Sequence, residues 1–114
     1  MKKQATAQLN KLRISPRKVR MVADVIRGKN VEEARNILRF TIKRAVAPMR
    51  KLLDSAVANA KHNLKMEEDK LFIQEIRVDE GRTLKRFRPV ARGRTNPIAK
   101  RTSRITIILQ EYGS

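Results

Sequence analysis

The positively charged side chains in the C-terminal third of the chain are the residues with the clearest chemistry. No acidic residue occurs between Gly81 and Gln110, whereas nine positions there are Lys or Arg. These are Arg82, Lys85, Arg86, Arg88, Arg92, Arg94, Lys100, Arg101 and Arg104. Guanidinium and ammonium groups bind phosphate, and a guanidinium can hold two phosphate oxygens at once. The stretch therefore predicts a surface that binds a polyanion.

A second set of positive charges surrounds the first predicted helix. Arg17, Arg20, Asp24 and Arg27 are spaced three, four and three residues apart, so they share one exposed helix face. One interpretation is a solvated face on which Asp24 compensates its neighbours. The surplus of positive charge favours phosphate contact instead, through Lys11, Arg13, Arg17, Lys18, Arg20 and Arg27.

The overall charge narrows the choice of polyanion. A net charge of +17 over 114 residues exceeds what solubility requires and indicates a partner with dense negative charge. A membrane surface is disfavoured, since the chain has no Trp and no apolar run of about 18 residues. The polar segment after Met1-Lys2-Lys3 predicts no secretory signal, and the absence of Cys fits a reducing compartment. We therefore expect an intracellular nucleic-acid-binding protein.

Residues that could support catalysis or metal binding are scarce. His62 is the only histidine, and a lone histidine late in a basic helix is usually a capping or surface residue. Gly28-Lys29 lacks the upstream glycine of a phosphate-binding loop. Glu67, Glu68 and Asp69 are adjacent, whereas a metal needs ligands from several directions. We expect no enzyme activity, cofactor, metal or small-molecule substrate.

Three helices are predicted to position the basic residues. Ser15-Pro16 opens the first helix and Gly28 ends it, with Val19, Val22, Ala23 and Ile26 on its buried side. Asn30 caps the second helix with Glu33 at its third position. The third runs from about Ile42 to Asn63, and Pro48 predicts either a kink or a start near Ala47.

Three strands complete the predicted body. Alternating apolar residues indicate strands over Ala5 to Ile14, Leu71 to Val78 and Arg104 to Leu109. Phe72, Ile76 and Val78 are expected to share one face of the second strand. The 23 residues from Arg82 to Arg104, folded back on themselves, would reach roughly 35 Å. The prediction is one α+β domain over residues 1–114. Three helices pack on a small three-stranded antiparallel sheet, and a long β-hairpin projects at residues 81–104.

A narrow basic hairpin fits crevices in folded RNA better than a single duplex groove, so RNA is favoured over DNA. Phe87 and Tyr112 are isolated aromatic residues in the sequence. Base stacking by an aromatic pair, and with it sequence-specific recognition of a single strand, is therefore not expected.

Several motifs in one order resemble the bacterial-type large-subunit ribosomal protein number twenty-two family, from about Ala5 to Leu109. They are Ser15 to Arg20, Ile26 to Lys29, Ser55-Ala56, Asn59-Ala60, His62-Asn63, Asp79 to Gly81, Leu84 to Arg86, Pro89, Ala91 to Arg94, Lys100 to Ser103 and Ile105-Thr106. The chain departs from the family pattern at Val90, where Arg is usual, and at Arg104, where His, Asp or Asn is usual.

The resemblance implies a structural protein of the cytoplasmic ribosome, with its body near the exit of the peptide tunnel. It implies that the hairpin threads ribosomal RNA to line the tunnel wall, next to neighbouring ribosomal proteins and the nascent peptide. By position, Lys85, Arg86, Arg92, Gly93 and Arg94 would lie at or near the hairpin tip, and Lys100 and Arg101 would contact RNA on the return arm. The alternative from composition is a free-standing RNA-binding protein or RNA chaperone.

Overall fold

The computed structural model describes residues 3–81, 84–89, 95–100 and 102–112. Its strands are β1 (Ala5–Leu12), β2 (Leu71–Glu80), β3 (Leu84–Pro89), β4 (Thr95–Lys100) and β5 (Ser103–Glu111). Its helices are α1 (Pro16–Ile26), α2 (Val31–Phe40), α3 (Val46–Asn63) and a short 3-10 helix (Glu68–Lys70). β1, β5 and β2 form one antiparallel sheet in that order, and β3 pairs with β4 in a second sheet. The predicted α+β class is confirmed.

The hydrophobic core lies between the helices and one face of the three-stranded sheet. The central strand β5 contributes Ile105, Ile107 and Leu109, which are fully buried, as the sequence alternation predicts. In cross-strand register, Leu9 and Val78 flank Ile105 from β1 and β2. The predicted apolar stripe of α1 is buried against this face, so one contiguous core holds all three helices on the sheet.

The helix ends follow the local sequence. Pro16 begins α1, and Gly28 beyond its end has a φ of +79°, the left-handed conformation that glycine adopts without strain. The Asn30 side chain accepts a hydrogen bond from the Glu33 N–H at 2.7 Å, so the predicted cap of α2 is confirmed. Ser15 stands at the N-cap of α1, but its side chain makes no capping hydrogen bond. The third helix begins at Val46, close to the later start near Ala47 that Pro48 predicts, rather than at Ile42.

The expectation that Phe72 shares a face with Ile76 and Val78 is wrong. The pairing register of β2 with β5 shifts between Ile73 and Glu75, and such a bulge reverses which side chains face the core. Leu71 and Ile73 are therefore buried together with Ile76 and Val78. Phe72 instead stacks on Tyr112, with ring centroids 4.4 Å apart, so Tyr112 is not an isolated aromatic residue.

The outer edge of β2 pairs with the connection between α1 and α2. The Gly28 N–H donates to the Ile73 carbonyl at 3.2 Å, and the Ile73 N–H donates to the Lys29 carbonyl at 2.9 Å. Asn30 forms an isolated bridge to Phe72. This connection therefore fixes the position of α1 along the edge of the sheet. Within the described ranges, no helix combines the length and the apolar character needed to cross a membrane.

Candidate nucleic-acid interface

Four of the predicted phosphate-binding residues follow one another along the connection from β1 to α1. Lys11 lies at an irregularity of β1 between Leu9 and Leu12 and has a φ of 59°. Arg13, in the connection itself, and Arg17 and Lys18, in the first turn of α1, are exposed, as is Lys11. We call these four residues the β1–α1 cluster. Because the short connection joins two core elements, the cluster is held on a fixed part of the surface.

The other two predicted residues of this set, Arg20 and Arg27, are exposed but also bind the body. Arg20 donates through Nε and Nη2 to the Val78 carbonyl at 3.2 and 3.0 Å. Arg27 donates to the Ile76 carbonyl at 3.0 Å and forms an ion pair with Asp24. A guanidinium has five N–H donors, so each arginine retains donors for a phosphate. These two residues are thus structural contacts of α1 to β2 as well as candidate phosphate ligands.

The root of the hairpin is a close approach between Gly81 and Thr102. The Gly81 N–H donates to the Thr102 carbonyl at 2.8 Å. A Cβ at position 81 would lie 2.5 Å from Thr102 Oγ1, closer than side-chain atoms normally approach. Thr102 is 1% exposed, so it has little space to move. Only glycine fits this position without displacing its neighbour.

Ser103 ties the same root to the β1–α1 connection. Its hydroxyl, which is fully buried, donates to the Ile14 carbonyl at 2.6 Å. Ile14 lies between Arg13 and the start of α1. The hairpin root and the β1–α1 cluster are therefore parts of one rigid region, and their relative position is set by buried contacts.

The hairpin strands pair in a regular antiparallel register from Leu84–Lys100 to Pro89–Thr95. The basic residues Lys85, Arg86 and Arg88 lie in β3, and Lys100 lies in β4. Lys85 pairs with Ala99 and Arg86 with Ile98, so both lie along the arm before the last pair rather than at its end. The remaining predicted contacts Arg82, Arg92, Gly93, Arg94 and Arg101 lie outside the described residues.

Arg104 belongs to the body rather than to a hairpin arm. It lies in the central strand β5, where its register partner on β2 is Asp79. Arg104 is exposed, on the sheet face opposite to the buried Ile105. Asp79 is exposed as well, and the same face of the sheet carries the Arg77–Glu75 ion pair at 3.6 Å.

An ion-pair network joins α2, α3 and the 3-10 helix on another side of the body. Arg35 binds both Asp54, at 3.1 Å, and Glu68, and Lys61 binds Glu68 at 3.1 Å. The hydrogen bonds from Arg35 and then Lys61 lower the pKa of Glu68. Burial alone would lower the pKa of Arg35, but its hydrogen bonds to Glu68 and Asp54 outweigh burial and raise it. The acidic residues here are engaged in holding helices together.

Sequence reasoning missed three groups of residues. Gly81, Thr102 and Ser103 form the hairpin root, and only the spatial proximity of Gly81 and Thr102 reveals their role. The Arg35 network likewise depends on tertiary contacts. The third group is Phe40 and Ile42, two large apolar side chains that are exposed to solvent at the end of α2 and just beyond it. A sequence signal accompanies them, because no acidic residue occurs between Glu33 and Asp54.

Metal-ligating side chains are dispersed in the part of the chain that the structure describes. No group of three or more His, Asp or Glu residues there is arranged to hold a metal ion. His62 is exposed in the last turn of α3. The surface that the described residues present is instead a basic one, carried on a body and a paired hairpin.

Comparison with known proteins assigns this architecture to a family. The family model for ribosomal protein L22p/L17e matches residues 7–110. The chain belongs to the ribosomal protein L22p/L17e family. The match covers β1 from residue 7 onward, the β1–α1 cluster, the three helices and residues 81–104, so every candidate contact lies within the region that the family shares.

Individual members of the L22p/L17e family are similar to this chain over nearly its whole length. The large ribosomal subunit protein uL22 of Desulfitobacterium hafniense is 57% identical over 108 residues, which cover 95% of each chain. That of Thermus thermophilus is 56% identical, over 95% of this chain and 96% of its own. That of Deinococcus radiodurans is 54% identical over all 114 residues, which cover 85% of the relative.

Proposed function

We propose that this protein is a structural constituent of the large ribosomal subunit in the cytoplasm, where it binds large-subunit ribosomal RNA and supports assembly. Its hairpin lines the nascent-peptide exit tunnel. Family membership and relatives named as large-subunit proteins support the assignment. The charge of +17 independently requires a polyanionic partner.

The observation that carries the proposal is the hairpin itself. β3 and β4 form a two-stranded sheet separate from the body sheet, and a hairpin of this kind is marginally stable in water by itself. The molecule measures 65 × 29 × 18 Å, and its radius of gyration of 17.3 Å exceeds the roughly 13 Å of a compact domain of this length. RNA phosphates on both sides of the basic arms would supply the stabilisation that the isolated hairpin lacks.

The proposal gives the two basic regions different roles. The β1–α1 cluster binds phosphates at the RNA surface, together with Arg20 and Arg27. The hairpin arms enter between RNA elements, and the residues that the family resemblance puts at or near the tip face the nascent peptide, namely Lys85, Arg86, Arg92, Gly93 and Arg94. The rigid root at Gly81 and Ser103 fixes the direction in which the hairpin leaves the body. Recognition is then by the shape of folded RNA rather than by reading of base edges.

No catalytic step is part of this function. The protein contributes bound surface and position, with ribosomal RNA, neighbouring ribosomal proteins and the nascent chain as partners. It uses no cofactor and no small-molecule substrate.

Sedimentation across a salt series tests the proposal against a free-standing RNA chaperone. A tagged copy should remain with large subunits through high-salt washes, because a hairpin enclosed by RNA cannot leave by ion exchange alone. Release of the bulk of the protein at moderate salt, with no subunit-bound fraction, would favour the chaperone.

The affinity for isolated RNA provides the second arm of the test. If about 8 phosphates are neutralised, the log–log slope of affinity for deproteinised large-subunit RNA against salt should be roughly −5 to −7. A matched variant with Lys85→Gln, Arg86→Gln and Arg88→Gln should give a shallower slope by about 2 to 3. A wild-type slope shallower than about −2 would contradict the electrostatic basis of binding.

A further inference from the structure

The C-terminal end of α2 presents two large apolar side chains to solvent. Phe40, the last residue of α2, is 81% exposed, and Ile42 in the following connection is 97% exposed. Full burial of such a side chain contributes about 1.5–3 kcal/mol, so their exposure forgoes that stabilisation in the free protein. Both residues therefore have an unused capacity to bind a partner.

The connection that carries these side chains is anchored at both ends. Thr41 donates through Oγ1 to the Ile37 carbonyl at 2.7 Å, and Ala45 is buried at 2% exposure just before α3 begins. Phe40 and Ile42 lie between these anchors. The exposed side chains are consequently held by a defined backbone, as a binding surface requires.

The surroundings of Phe40 are positively charged. Residues 34–53 contain no acidic residue and include six Lys or Arg residues, namely Arg35, Arg39, Lys43, Arg44, Arg50 and Lys51. The first acidic residue after this stretch, Asp54, forms an ion pair with Arg35. Arg39, Lys43 and Arg44, which are closest to Phe40 in sequence, are all exposed. A partner for this surface must therefore bring negative charge as well as an apolar face.

We propose that Phe40 stacks on an unpaired base of RNA while Arg39, Lys43 and Arg44 bind the flanking phosphates. A nucleotide supplies both a flat π-face and an anion, which matches the two properties of the site. An apolar protein surface would match Phe40 and Ile42 but would leave the positive charges without counter-ions. The inference rests on the proposed function, since it adds a third contact to the same RNA partner, distinct from the β1–α1 cluster and the hairpin.

The chain has no Trp, so a Phe40→Trp variant carries a single fluorescent reporter at the site. Titration with deproteinised large-subunit ribosomal RNA should quench its emission strongly, because a stacked base quenches indole. The matched control is Tyr112→Trp. Tyr112 is 53% exposed and stacks on Phe72, which bridges to Asn30 at the opposite end of α2. Emission of the control should change little.

Affinity measurements on full-length variants provide the second test. Phe40→Leu keeps the apolar volume but removes the aromatic face, and should weaken RNA binding about 5- to 100-fold. Phe40→Tyr should bind within about twofold of wild type, since it retains the ring. Because Phe40 is exposed, all three proteins should have the same urea unfolding midpoint.

The possible outcomes separate this inference from the proposed function. If wild type binds the RNA and the Phe40→Leu variant binds it equally well, the stacking contact alone is overturned. Failure of wild type to bind the RNA would overturn both. A blue shift without quenching in the Phe40→Trp variant, seen only when total ribosomal protein is added, would assign the surface to a protein partner instead.

Discussion

At the scale of single residues, the missing side chain of Gly81 allows the close contact with Thr102 at the root of the hairpin. A Cβ there would lie 2.5 Å from Thr102 Oγ1 and 3.3 Å from the Thr102 backbone carbon. Gly81→Ala should therefore destabilise the body by about 1–3 kcal/mol through overpacking. Urea unfolding followed by circular dichroism measures this change.

A double variant tests whether contact with Thr102 causes that loss of stability. Thr102→Ala removes Oγ1, the atom that a Cβ at position 81 would meet first. Gly81→Ala combined with Thr102→Ala should therefore be more stable than the sum of the two single effects predicts. Strict additivity would show that the two side chains do not compete for space at the hairpin root.

The ionisation of Glu68 makes the stability of the body depend on pH in the acid range. Its pKa in the folded protein is lowered, chiefly by the hydrogen bond from Arg35. The resulting stabilisation is present above the unfolded-state pKa and is lost as the pH falls through the folded-state pKa. Glu68→Gln should cost about 1 kcal/mol or less near pH 7, since the side chain is 37% exposed, and less still in acid.

A control separates this effect from general surface charge. Glu67 pairs with Lys70 at 3.1 Å, and both side chains are more than half exposed. Glu67→Gln should accordingly change the pH dependence of the unfolding midpoint much less than Glu68→Gln does. Identical pH profiles for the two variants would show that the Arg35 network does not cause the pH dependence of stability.

At the scale of elements, we expect the hairpin to differ most in its susceptibility to protease between the free and the assembled protein. β3 and β4 carry no acidic residue and four positive charges, which repel one another, and the two strands form a sheet of only two strands. Trypsin should therefore cleave free protein first within residues 82–104 while the helices resist. The same bonds should survive in assembled large subunits, and equal cleavage rates in the two states would contradict an RNA-enclosed hairpin.

The elements that sequence predicted best are those determined by local chemistry. Pro16, the Asn30 cap and the alternation of Ile105, Ile107 and Leu109 each act within a few residues, and all three are confirmed. The side of β2 on which Phe72 lies was wrong because a register shift depends on the partner strand. A bulge of this kind leaves no trace in a single strand's alternation.

The candidate site was predicted in composition but not in geometry. The sequence predicts Arg20 and Arg27 as phosphate ligands, and helical spacing correctly placed them on the exposed side of α1. Their hydrogen bonds to Val78 and Ile76 involve residues about fifty positions away, which no local pattern reveals. Their contacts with RNA, like those of the hairpin residues, stay predictions.

At the scale of the whole molecule, charge is segregated along the chain. Three stretches without acidic residues, 1–23, 34–53 and 81–110, together hold 22 of the 28 Lys and Arg residues. The rest of the chain contains all 11 acidic residues and only six basic ones. The three basic stretches contain the β1–α1 cluster, the surface around Phe40 and Ile42, and the hairpin, respectively. This division supports the proposed contact with RNA through three separate basic regions.

We also expect the body to fold without the hairpin. Among the residues whose burial the structure describes, the core lies in the body elements, and Ser103 belongs to them through its bond to Ile14. Replacing residues 83–101 with Asn-Gly, while keeping Gly81, Thr102 and Ser103, should preserve a single cooperative unfolding transition. The shortened protein should still bind RNA weakly through Arg17 and Lys18. Loss of far-ultraviolet helical signal would show that the hairpin is part of the folding unit.

The covering of the β2 edge by α1 and its following connection affects how the free protein behaves in solution. An open edge strand is a template on which a second molecule can add its own strand, the first step of aggregation. Here the Ile73, Ile76 and Val78 carbonyls are already bonded to Gly28, Arg27 and Arg20. At this edge, β2 therefore has fewer free carbonyls with which a strand of a second molecule could pair, which protects the free protein from aggregation along this edge.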